Sequence, residues 1–81
     1  MWYVYVLLCQ DGSLYTGCTN DVEKRFAAHL AGKGGHYTRS RRPIKVMFQE
    51  EVADRSTALK RELEIKGWSR QQKINRLKLA I

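Results

Sequence analysis

The residue in this chain that most needs a chemical reason is a glutamate on an apolar helix face. Ser56 is placed to cap a helix running to about Lys66. At about 100° per residue, with Ala58 as zero, Leu59 and Leu63 and Ile65 mark out an apolar arc. Glu62 falls near ~40°, inside that arc, whereas Glu64 falls near ~240°, on the polar side. A carboxylate turned toward a core is costly unless it is paired or metal-bound. Glu62 is therefore expected in a salt bridge with an arginine, on an arc edge wetter than the wheel suggests, or at a metal ion.

Arg25 and His29 are the second anomaly. They stand four apart on the first helical segment, as one stripe beside Val22, Phe26 and Leu30. Arg25 is suited either to neutralising Glu62 or to holding a phosphate, and both readings stay open. His29, with an ordinary pKa near about 6.5, is chemically an easier general base than a phenol. Three of the four tyrosines, Tyr3, Tyr5 and Tyr15, lie in the first 15 residues. Tyrosines in strands are usually core with a hydrogen-bonded hydroxyl, but a phenol beside a cation or metal can also move a proton. Cys9 and Cys18 show no ligand spacing and read as two free thiols.

Several elements must position these groups. Trp2 to Cys9 is aromatic and β-branched without alternation, so it reads as a strand buried on both faces and central in its sheet. Gln10-Asp11-Gly12-Ser13 turns the chain, and Leu14 to Thr19 returns as a second strand. Asn20, with Glu23 three residues on, is read as the cap of a helix from Asp21 to about Ala31, buried through Val22, Phe26 and Leu30. Gly32-Lys33-Gly34-Gly35 ends it. Pro43 excludes helix, and Ile44 to Val52 reads as a third strand. After the Ser56 helix, Ser69 caps another near Gln71 to Leu79, with Ile74, Leu77 and Ile81 as its apolar side. The fold class is α+β, a small three-stranded antiparallel sheet flanked by helices, in the order β-β-α-β-α-α.

Register tests whether Tyr5 and Tyr15 share a site. A two-residue turn on Asp11-Gly12 would set Tyr5 opposite Cys18 and send Tyr15 to the other face. For both to serve one site the loop must be odd or bulged, and Gly12 suits a G1 bulge, which is the expectation.

The 81 residues are read as a single domain, and the net charge of +7 points to a polyanionic partner such as nucleic acid. Residues 33–45 hold five basic residues and no acid, and from Arg55 onward there are eight basic and two acidic residues. The apolar run at the start is too short for a membrane span or a signal peptide, so no membrane partner and a cytoplasmic location are expected.

Taken together these residues resemble the GIY-YIG nuclease superfamily. The paired tripeptides stand as Tyr3-Val4-Tyr5 and Tyr15-Thr16-Gly17; Arg25 follows Tyr15 by ten residues, His29 follows Arg25 by four, and Glu62 lies on the later helix. The likeness is greatest to the small stand-alone bacterial members, through Asp11 to Gly17, Tyr37-Thr38-Arg39 and Ile65 to Arg70. The resemblance implies a metal-dependent DNA endonuclease acting in repair or recombination, with Tyr5, Tyr15, Arg25, His29 and Glu62 catalytic. Glu62 would be the one protein ligand of a Mg²⁺ or Mn²⁺, Arg25 would stabilise the charged phosphate, and Tyr5, Tyr15 or His29 would activate the water. DNA, branched or nicked, would be gripped by Lys33, Tyr37, Arg39, Arg41, Arg42, Lys66, Arg70 and Lys73. Selectivity would come from DNA shape, a homodimer or a DNA-binding partner protein.

Two departures stand out. Tyr3 replaces the glycine of the first tripeptide, and Cys18 sits where several relatives carry lysine, removing a basic group that could assist the water. A non-catalytic nucleic-acid-binding module would account for the charge but not for Glu62. A protein-interaction domain for an acidic partner would bind DNA poorly.

Overall fold

The computed structural model describes residues 1–35 and 40–81. Strand β1 (Trp2–Cys9) lies between β2 (Leu14–Thr19) and β3 (Pro43–Val52), antiparallel to both. Its central place follows from its composition: Val4, Tyr5, Val6 and Leu7 are each at most 2% exposed, so both faces of this strand are covered.

The hairpin is odd, as the shared-site requirement demands. Tyr5 pairs with Gly17, Leu7 with Tyr15 and Leu8 with Leu14. The loop closes with the Cys9 amide donating to the Ser13 carbonyl at 2.9 Å and the Gly12 amide to the Cys9 carbonyl at 2.9 Å. Gly12 takes φ +83°, the left-handed conformation that a G1 bulge needs. Asp11 braces the turn by accepting from the Ser13 amide at 3.0 Å. Because paired residues share a face and alternate residues do too, Tyr5, Leu7, Tyr15 and Gly17 all point to one side of the sheet.

Helix α1 (Val22–Leu30) starts one residue later than expected: the cap is Asp21, whose carboxylate accepts from the Lys24 amide, rather than Asn20. Helix α2 (Arg55–Lys66) is capped by Asp54, accepting from the Thr57 amide at 2.8 Å, rather than by Ser56. Helix α3 (Arg70–Leu77) is capped by Ser69 as expected, with Gln72 closing a reciprocal capping box. Lys78 then takes a left-handed conformation, φ 54° and ψ 48°, which turns Leu79 into the core and leaves Ile81 55% exposed. The expectation that Ile81 packs is therefore corrected to Leu79.

Val4, Val6, Leu14, Ala58, Ile65 and Leu79 form the core on the second face of the sheet, with Ile74, Leu77, Phe48 and Trp68 packed against them. The apolar arc on α2 is rotated from its expected place: Leu63 is 69% and Leu59 39% exposed, while Ala58 and Ile65 are fully buried. On α1 the expected stripe is also displaced, since Leu30 is 39% exposed and the buried residue is His29. Both cysteines are free, Cys9 buried and Cys18 half-buried. Among the described residues no helix is long and apolar enough to cross a membrane.

Candidate active site

On the α1 side of the sheet polar groups are buried alongside Leu7. Tyr5 is 2% and His29 1% exposed, and the Tyr5 hydroxyl lies 2.9 Å from His29 Nε2. The Tyr15 ring stands edge-on to His29 with centroids 5.1 Å apart, and 6.4 Å from the Tyr5 ring. This gathers Tyr5, Tyr15 and His29 in one cluster built from β1, β2 and α1.

Two glycines make room for it. A Cβ on Gly17, directly across the ladder from Tyr5, would come within 2.5 Å of the Tyr5 hydroxyl. A Cβ on Gly34 would fall inside the His29 imidazole. Gly34 also accepts a hydrogen bond from Arg25 Nη2 at 3.3 Å. Gly34 is the residue that sequence pattern does not reveal: the Gly32–Gly35 run reads only as a helix stop, while its third member seats both Arg25 and His29.

Arg25 also donates to the Tyr5 hydroxyl, which partly offsets the effect of burial on that phenol. Burial still dominates, and with the Tyr15 phenol and the Glu62 carboxylate nearby the Tyr5 pKa is pushed up to about 12. Tyr5 is thus a phenol, not a phenolate, at neutral pH. His29 moves the other way: burial first and the Arg25 charge second hold it below the ordinary histidine range. In the Nδ1–H tautomer of the neutral imidazole, Nε2 is an acceptor for that hydroxyl's proton.

Glu62 reaches the cluster from the other side. Helix α2 packs on the second face of the sheet but lies against the edge strand β2, where Glu62 comes beside Cys18 and into the field of Tyr5. The glutamate side chain is 15% exposed against 56% for Glu64, as the helical wheel required. Its partner is not the expected arginine but Lys66, one turn on, with Nζ 3.1 Å from Oε2. Lys66 Nζ also lies 5.9 Å from the centroid of the Tyr15 ring. Burial and the hydrogen bond to Glu62 push the Cys18 thiol up to about 11, so it stays protonated at neutral pH beside the carboxylate.

Among the described residues no three His, Cys, Asp or Glu side chains cluster to hold a metal. A single oxygen donor such as Glu62 fits a hard cation that keeps most of its water, and fits poorly a metal needing several protein ligands.

The remaining candidates are more scattered. Arg41 is in an ion pair with Asp11 at 3.0 Å, and the Arg42 carbonyl accepts from the Gln10 amide at 2.9 Å, so both stand by the hairpin turn. Lys33 is exposed just beyond α1. Arg70 Nε donates to the Gly12 carbonyl at 2.8 Å and Lys73 Nζ to the Leu14 carbonyl at 3.4 Å. Tyr37 and Arg39 lie outside the described residues. Tyr3, in place of the first glycine, directs its hydroxyl toward Glu51 at 3.4 Å and stays out of the cluster.

The family model for the GIY-YIG catalytic domain matches residues 1–75 of this chain. The UPF0213 protein SH2523 of Staphylococcus haemolyticus is 54% identical over 72 residues, covering 89% of this chain and 88% of that protein. Two solution NMR structures are similar. That of the UPF0213 protein BH0048 from Bacillus halodurans has a TM-score of 0.60 at 40% identity, covering 96% of this chain and 84% of that one. That of the protein EF2693 from E. faecalis has a TM-score of 0.64 at 44% identity, covering 94% and 81%.

Proposed function

Because the chain belongs to the GIY-YIG catalytic domain family, we propose that it is a divalent-metal-dependent endonuclease that hydrolyses phosphodiester bonds in DNA. The observation that carries this reading is the buried Tyr5 hydroxyl on His29 Nε2, beside Arg25 and within the field of Glu62. A core tyrosine needs one hydrogen-bond partner, not an imidazole, a guanidinium and a second tyrosine around it.

In this reading Glu62 would hold a Mg²⁺ or Mn²⁺ ion, which would supply Lewis-acid charge at the phosphate and make water more acidic. The protein's own groups do the rest. Arg25 has five donors, of which the contacts to Gly34 and Tyr5 leave others to meet the extra charge on the phosphate. Tyr5, too basic to ionise by itself, accepts the proton of the attacking water at its oxygen as it passes its own proton to His29 Nε2. His29 is held neutral and so is ready to receive it. Tyr15, packed between the His29 ring and the Lys66 ammonium, orients the attacking water. The leaving 3′ oxygen takes its proton from solvent. Lys66 holds the Glu62 carboxylate in the free protein, the charge balance that Cys18 cannot provide.

The test is cleavage of labelled duplex, nicked, flap and four-way DNA with Mg²⁺ or Mn²⁺, by wild type, Glu62→Ala and Arg25→Ala. Metal-dependent cutting by wild type, reduced by about 10²–10³-fold in each variant, is expected. Equal DNA binding by all three proteins with no cutting of any substrate would replace the nuclease with a binding module.

A further inference from the structure

Three of the cations expected to grip DNA, Lys66, Arg70 and Lys73, fall together along the outer edge of β2. This strand ends the sheet, and basic side chains from two helices are laid along it. Starting at the turn, Arg70 is on the Gly12 carbonyl at 2.8 Å and Lys73 on the Leu14 carbonyl at 3.4 Å; Lys66 then stands over Tyr15 and on Glu62. Beyond Glu62, Arg55 stands 5.9 Å over the Trp2 ring, by the far end of the β1–β2 ladder. The cations therefore follow the strand direction in sequence, and Glu62 lies within their line.

Lys73 and Lys66 are near enough to repel. Burial, then the Lys66 charge, holds the Lys73 ammonium below the ordinary lysine range. A half-buried ammonium at Lys73 beside the exposed one at Lys66 is relieved by an anion between them. Resting on the nuclease reading above, we propose that this edge is a track for the phosphate backbone of one DNA strand, running along Arg70, Lys73 and Lys66 to the scissile phosphate at Glu62. A line of point charges on an extended strand meets phosphates and not base edges, so the track positions DNA without reading sequence. It also makes the footprint lopsided, with three cations on the turn side of Glu62 and one, Arg55, on the other.

The test uses the full chain carrying Glu62→Gln, so that DNA stays intact, and measures affinity for a labelled duplex as a function of salt. Adding Arg70→Met or Lys73→Met lowers the slope of log affinity against log salt by about 1 each, and the pair by about 2. Arg70→Lys and Lys73→Arg keep the charge and keep the slope, which separates phosphate contact from bracing of the hairpin. Lys60→Met, on the same α2 helix but beside Asp54, leaves the slope at its parent value. Unchanged slopes in the two Met variants, or an equal loss in Lys60→Met, overturn the track and leave the basic edge as a guard against strand pairing. The outcomes separate from those of the nuclease test. Metal-dependent cutting with unchanged slopes removes only the track, and lowered slopes with no cutting remove only the nuclease.

Discussion

The two faces of the sheet are both buried, and they are buried by opposite means. Under α2 and α3 the strands offer Val4, Val6 and Leu14 to Ala58, Ile65 and Leu79, groups with no polar atoms to satisfy. Under α1 they offer Tyr5 and Tyr15 to His29 and Arg25, each held through a specific polar or ring contact. The first face needs volume and shape, and tolerates exchange of one apolar group for another. The second needs space left empty at Gly17 and Gly34 so that two aromatic side chains reach one place. A domain of 81 residues has little core to spare. Committing one face to a polar cluster makes the other carry most of the apolar burial.

Substitutions can separate the faces. The largest effect on folding is expected from Ile65→Ala, which empties part of the apolar face and costs about 2–5 kcal/mol of stability by denaturant unfolding. DNA cleavage per folded molecule should be unchanged. If Ile65→Ala instead lost activity while staying folded, the two faces would not be independent.

Next come Gly17→Ala and Gly34→Ala. Each added methyl collides with the cluster, and overpacking of this kind costs about 1–3 kcal/mol. Here cleavage should fall further than stability, because Tyr5 or His29 is displaced. Comparison of the thermal melt with the single-turnover rate distinguishes this from simple unfolding.

A smaller effect, of opposite sign, is expected at Thr16. Its hydroxyl is buried on the apolar face, paired across from Val6, and has no hydrogen-bond partner among the described residues. Thr16→Val should raise stability by about 1 kcal/mol, since a buried hydroxyl without a partner is a net cost. A drop would mean that the hydroxyl is satisfied after all.

The mildest perturbation is pH. His29 is depressed in the folded state, so its contribution to stability is complete above its unfolded pKa of about 6.5 and is lost as pH falls through the lower folded value. Tyr5 is raised to about 12, so its contribution is complete below the unfolded value near 10 and is lost as pH rises toward 12. Melting temperature should therefore fall at both ends, with His29→Gln removing the acidic component and Tyr5→Phe the alkaline one.

The strands and the tyrosine pairing were legible in the sequence because they rest on local rules. An unbroken apolar run marks a strand covered on both sides, and Asp-Gly marks the turn. The need for Tyr5 and Tyr15 to share a face made the odd loop at Gly12 an expectation that the register bears out. The helix starts were harder. Asn20 and Asp21, or Asp54 and Ser56, are comparable caps, and the path of the chain decides which accepts the amide. Burial on the helices was least legible. The wheel placed Glu62 inward but also Leu63, because it could not know that α2 packs through Ala58 and Ile65 against an edge strand. Nor could spacing show that α1 faces a polar cluster, which is why His29 rather than Leu30 is its buried residue. Gly34 was invisible, since its role depends on two side chains that fold onto it from elsewhere.

The claim that Tyr5 passes a proton to a neutral His29 is tested most directly by the pH dependence of single-turnover DNA cleavage, in wild type and His29→Gln. Wild type should rise along a single acidic limb set by a group below about 6.5 and then level off. His29→Gln should lose that limb and fall about 10²–10⁴-fold at the plateau. A variant that cuts at the wild-type rate, with the same acidic limb, would contradict it.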